Sequence, residues 1–160
     1  MNKILISLAV LTWGSVLAAP TYISSDAKTK TATLVINAGM GTANNGLNFN
    51  NAFKNSANFT IPIGWTVIMK FKNVGMMPHS VGVYKGATPP NSVAIKDVAF
   101  AGAYTPKLLE GYPMNGVATV KFVAKTAGVY NIVCGVPGHN LGGQYIGLSI
   151  SSSVKVASYK

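Results

Sequence analysis

The chain contains two histidines and one cysteine, and where they fall constrains its fold more than any other feature. Cys134-Gly135-Val136-Pro137-Gly138-His139 is followed five residues later by Gln144, so a thiol, an imidazole and an amide oxygen lie within eleven residues. The other histidine, His79, stands 55 residues before Cys134 in the run Met76-Met77-Pro78-His79-Ser80. These are metal-ligating groups. Any fold that uses them together must carry two distant segments to one point.

The pattern around them is that of short strands. Residues 31–37, 59–63, 80–84, 116–123, 128–134 and 144–151 read as strands, with a further run at 65–71 divided from its predecessor by Gly64. Glycine and proline punctuate them, which predicts an antiparallel sandwich. No stretch keeps an apolar period of 3.6 with caps. Residues 85–115 hold four of the eight prolines and read as a long connection with one short strand around 98–101. Residues 39–56 are rich in glycine and asparagine and read as irregular, and 20–30 as a loose polar terminus. Tyr130, Ile132 and Cys134 share strand parity, so a core-facing Tyr130 implies a core-facing thiol. Gly135, Pro137 and Gly138 predict a tight turn, the glycines at positive φ, that returns His139 towards the sulfur.

With 160 residues and 49% hydrophobic content, the chain suits one domain. Residues 1–18 read as a secretory signal: Met1-Asn2-Lys3 is a basic start, residues 4–17 are apolar, and Val16-Leu17-Ala18 places the cut after Ala18. The apolar run is short for a spanning helix, and nothing later is long and apolar enough to be one. A lone cysteine in an exported chain cannot form an internal disulfide, and coordination explains its presence. The net charge of +10 comes from 13 lysines against Asp26, Asp97 and Glu110. Those lysines are scattered and arginine is absent, so no nucleic-acid partner is expected. So few carboxylates also mean that acid changes the net charge little, which fits an acidic exterior.

Two His and one Cys form the trigonal set that holds copper in electron-transfer sites, where a weaker axial group completes the coordination. The same donors with an oxygen also suit zinc. Cys134 as a hydrolytic nucleophile has little support in a chain with three acidic residues and no recognisable hydrolase signature. Ser80, next to His79, is expected to stand near the ligand loops and help the site resist acid.

The chain resembles the cupredoxins, and among them the rusticyanin and sulfocyanin branch, through its early Pro78-His79-Ser80, its Tyr130-x-Ile132-x-Cys134 approach and its Cys-x4-His-x4 spacing. The similarity runs over roughly residues 57–153. Gln144 occupies the place of that branch's axial Met, as in stellacyanin-like cupredoxins. The resemblance implies an all-β, cupredoxin-like Greek-key β-sandwich or barrel. Its core would span residues 57–160, preceded by an N-terminal extension at 19–56, with 19–160 forming one domain. It implies one mononuclear copper held by His79, Cys134, His139 and Gln144, in an exported electron carrier of the periplasm or another extracytoplasmic space and not an enzyme. Redox proteins such as a cytochrome c or a membrane oxidase would be its partners, and the carrier would be a monomer. Val136, Pro137 and Leu141 beside His139, with Met76, Met77 and Pro78 beside His79, would form the apolar patch where such partners dock. Copper storage or delivery is the alternative, with Met76 and Met77 as exchangeable thioethers.

Overall fold

Strict alternation in Thr31–Ala38 buries Ala32, Leu34, Ile36 and Ala38 completely, while the residues between them stay half exposed. Thr66–Asn73 repeats the pattern, with Val67, Met69, Phe71 and Asn73 inside and Lys70 and Lys72 outside. A period of two with one apolar parity makes a strand that covers a core on one face and meets water on the other. The computed structural model describes residues 21–160. The proposed signal, residues 1–18 with its cut after Ala18, lies outside the described residues.

Among the described residues, nine strands make up two facing sheets: β1 (Ile23–Asp26), β2 (Thr31–Ala38), β3 (Asn58–Pro62), β4 (Thr66–Asn73), β5 (Gly82–Tyr84), β6 (Val117–Val123), β7 (Gly128–Val133), β8 (Tyr145–Ser151) and β9 (Ser158–Tyr159). One sheet has the order β1-β2-β4-β6 and the other β5-β7-β8-β3-β9. Leu34, Ile36, Val67, Met69 and Phe71 of the first sheet share a single core with Phe59, Ile61, Tyr130, Ile132, Ile146 and Leu148 of the second. The all-β sandwich read from the sequence is the architecture found.

Its pairing is mixed, however, where an antiparallel sandwich was expected. β2 runs parallel to β4, and β3 runs parallel to β8. The chain leaves the first sheet after β2, runs through β3 in the second and returns as β4. Two reversals restore the original direction, and alternating hydrophobicity carries no sign of direction. Two short strands were also missed. Residues 23–26, read as part of a loose terminus, form β1 by antiparallel pairing with β2, and β9 closes the second sheet on β3. Both lie at sheet edges, where a strand needs little apolar patterning. Around 98–101 no strand forms, only an isolated bridge between Tyr84 and Val98.

The glycine- and asparagine-rich stretch after β2 is irregular, as expected. Asn44, Asn45, Asn50, Asn51, Lys54 and Asn55 all take positive φ between 49° and 65°. Asparagine tolerates this left-handed region better than most residues.

Candidate metal centre

His79 follows β4 through the bend at 74–78 and is pinned by two backbone bonds. Its N–H donates to the Tyr112 carbonyl at 3.1 Å, and the Tyr112 N–H donates to the His79 carbonyl at 2.7 Å. The approach requires Gly111, whose φ is +76° and where a Cβ would stand 2.9 Å from the His79 nitrogen. Asn73, buried at the end of β4, donates from Nδ2 to the carbonyls of Met77 (2.7 Å) and Tyr112 (2.8 Å) and so ties the same two segments.

Cys134 directly follows β7, and its sulfur is fully buried in the core cluster with Tyr130 and Ile132, on the parity read from the sequence. The turn then works differently from the expectation in one detail. Gly138 does have positive φ, at +87°, but Gly135 does not. Gly135 is needed for space: a Cβ there would lie 2.4 Å from the Leu108 carbonyl oxygen and 2.5 Å from Leu108 Cγ. The loop is held from outside as well, since the Gly138 N–H donates to Asn91 Oδ1 (2.7 Å) and Asn140 Nδ2 donates to the Pro90 carbonyl (3.1 Å). Gln144 N–H closes it on the His139 carbonyl at 2.9 Å.

All four residues singled out from the sequence meet at this end of the sandwich. Ligating atoms of His79, Cys134 and His139 lie within 4.8 Å of one another. Cys134 Sγ is 3.5 Å from His139 Nδ1. Gln144 Oε1 is 3.0 Å from Nδ1 of both His79 and His139. His79, Cys134 and Gln144 are fully buried, and His139 is half-buried.

The chemistry of the donor set fits a metal. Burial, which is the larger cause, and the neighbouring His139 hold the His79 imidazole down to about 4 against an opposing bond to Gln144, and burial also lowers His139. Both rings are therefore neutral near pH 7, the state in which imidazole binds a metal. Burial raises the Cys134 thiol, while hydrogen bonds from the backbone N–H groups of Ser80 and Val136 favour the thiolate. A soft sulfur, two imidazoles and one amide oxygen, with no carboxylate, suit copper and do not suit magnesium or calcium.

Ser80 is a structural link in this site. Its hydroxyl donates to the Leu108 carbonyl (2.6 Å), accepts from the Gly135 N–H (2.9 Å) and lies 3.7 Å from Cys134 Sγ. Ser80→Ala strands a buried donor and a buried acceptor, so it should cost about 2 kcal/mol or more by chemical denaturation. It should also release copper at a higher pH than the native protein does. An unchanged denaturation midpoint would contradict the first expectation, and unchanged copper retention the second.

The depressed His79 value sets a pH dependence. A group that binds protons less readily folded than unfolded supports the fold above its unfolded value, and that support is lost as pH falls. The metal-free protein should therefore lose stability between pH 6.5 and about 4, with no further loss from His79 below that. Copper should be released as the pH falls, because the proton competes for the same ring. Denaturation midpoints of the metal-free protein across this window, and absorbance of the loaded protein, check both statements.

Residues outside the expected site also hold it. Asn44 donates from Nδ2 to the Gly142 carbonyl (2.8 Å), and Gln144 Nε2 donates to the Asn48 carbonyl (3.1 Å). The only trace of them in the sequence is an asparagine-rich loop, and nothing there points to a site. Met76 is 92% exposed and stands with Met77 on the rim of a cavity beside His79, which excludes core packing for it.

A two-sheet sandwich with a buried Cys and two His at one end defines a mononuclear copper protein of the cupredoxin class. Comparisons agree. The sulfocyanin (SoxE) domain model matches residues 18–160, and sulfocyanin from Sulfolobus acidocaldarius is 34% identical over 141 residues, 82% of this chain and 68% of that protein. The chain belongs to the sulfocyanin family. Solved structures of similar fold include reduced rusticyanin (TM-score 0.59, 22% identity, 76% of this chain and 80% of that one). Reduced auracyanin from Roseiflexus castenholzii is another (TM-score 0.55, 23% identity, 74% and 96%). A third is a rusticyanin variant with glutamine in place of a methionine (TM-score 0.59, 23% identity, 81% and 87%). Membership makes copper the cofactor and electron transfer the broad function.

Proposed function

We propose that this protein is an exported one-electron carrier that holds a single copper through His79 Nδ1, Cys134 Sγ, His139 Nδ1 and, as the weak axial ligand, Gln144 Oε1. The observation that carries this reading is the convergence of those four atoms from two distant segments of the chain. Bound copper would supply the Cu(I)/Cu(II) couple. The chain's own part is to keep the donors in one arrangement in both states. Short loops tied to Tyr112, Leu108, Asn91 and Asn48 do this, and a cage that does not move on electron transfer makes that transfer fast.

Docking is proposed at the rim. Leu141 is 72% exposed and Met76 92%, and Pro137, Gly138 and Pro78 are exposed beside them, next to the half-buried edge of His139. An apolar, lightly charged rim supports brief, small interfaces with redox proteins such as a cytochrome c or a membrane oxidase. Among the described residues no helix is long and apolar enough to cross a membrane. The proposed carrier acts as a monomer and turns over no substrate. Export rests on the leader-like residues 1–18, and the domain reading remains one unit over 19–160.

Copper-loaded protein should give an intense visible band and a reversible one-electron wave, and removing copper should lower the melting temperature because the metal joins distant segments. Binding of Cu(I) alone with rapid exchange would instead support storage or delivery. A native protein that is colourless and carries zinc would overturn both readings.

A further inference from the structure

An amide side chain has two nearly isosteric orientations, one presenting oxygen and the other NH2, and only its surroundings choose between them. At Gln144 the choice lies at the end facing away from the histidines, where Nε2 donates to the backbone carbonyl of Asn48 at 3.1 Å. A carbonyl can only accept. The flipped amide would set oxygen against oxygen there and turn its NH2 towards the two Nδ1 atoms.

The Asn48 carbonyl has a fixed position because the Asn48 side chain is buried and fully engaged. Its Oδ1 accepts from the N–H groups of Met40 (3.1 Å) and Asn51 (3.2 Å), and its Nδ2 donates to the carbonyls of Met40 (3.0 Å) and Ala43 (2.7 Å). The same backbone carbonyl accepts from the Gly39 N–H at 3.1 Å. Further along, the segment is fastened to the ligand loop by Asn44 Nδ2 on the Gly142 carbonyl and by the Lys54 N–H on the Gly143 carbonyl at 3.0 Å.

We propose that Asn48 is a positioning residue for the copper centre: by folding the 39–51 loop around its own side chain, it places the carbonyl that turns the Gln144 amide oxygen inward. This rests on the reading of Gln144 as the fourth ligand. The orientation is set by the protein before any metal arrives, so the loop acts on affinity and potential through Gln144 and not by touching the metal.

Four copper-loaded proteins test this: native, Asn48→Ala, Gln144→Leu and the double variant. Asn48→Ala should weaken Cu(II) binding by about tenfold or more, the usual scale for partners that orient a ligand. It should also move the EPR spectrum and the potential towards those of Gln144→Leu. In the Gln144→Leu background it should leave spectrum and potential unmoved while still lowering the melting temperature. A loss of melting temperature alone, with native spectrum and potential, would overturn the inference. So would an equal shift in both backgrounds. A native spectrum and potential in Gln144→Leu would instead sink the fourth-ligand reading, and the inference with it. Should Asn48→Ala not fold, hydrogen exchange of the Gln144 side-chain amide in the native Cu(I) protein decides: slow exchange is expected, and exchange at the rate of a free amide would overturn the proposal.

Discussion

Cys134→Ser is expected to abolish the intense visible absorption of the copper-loaded protein and to weaken Cu(II) binding by well over about 100-fold. That figure is the upper end of what removing an orienting partner costs, and here the proposed direct donor is lost. The band arises from charge transfer between thiolate sulfur and Cu(II). Serine has no sulfur and no accessible anion near neutral pH, so no other group in the cluster can replace it. The position is also buried and receives hydrogen bonds from Ser80 and Val136, which the shorter, harder oxygen would meet poorly. Circular dichroism should still report the sandwich, since Tyr130, Ile132 and the rest of the core are untouched. A folded variant that keeps the band would mean that Cys134 is not a ligand.

Gln144→Met is the second large effect, and its sign follows from ligand hardness. An amide oxygen favours Cu(II) relative to a thioether, so the native protein should have the lower potential and the variant the higher. A tenfold change in the relative affinity for the two oxidation states is worth ~59 mV in a one-electron couple. A shift of roughly 60–120 mV upward, one to two such steps, is therefore expected from voltammetry. The substitution also removes one of the two donors to the buried Asn48 carbonyl, which keeps the Gly39 N–H alone, and should lower the melting temperature. No change in potential or spectrum would show that Gln144 does not reach the metal.

The architecture was readable to different degrees for physical reasons that particular residues make plain. β2 and β4 announce themselves, because a strand with one wet and one dry face writes its period into the chain. β1 and β9 do not, because an edge strand can be held by backbone bonds whatever its side chains are. β7 is intermediate: Tyr130, Ile132 and Cys134 share the expected core face, yet Asn131 and Val133 are also buried, which alternation alone does not foresee. The parallel pairs β2–β4 and β3–β8 were invisible in principle, since they depend on which sheet each strand joins.

At the copper end the division is similar. Donor identity is a property of side-chain chemistry, and the spacing Cys134, His139, Gln144 is local, so the amino-acid order alone made a metal loop legible and offered His79 as its distant partner. Which nitrogen of the His79 ring faces inward, which end of the Gln144 amide does, and how Ser80, Leu108 and Asn48 hold them are long-range facts. They are settled by hydrogen bonds between residues 28 to 96 positions apart, and no pattern along one segment encodes the partner it will meet when the chain closes into two packed sheets.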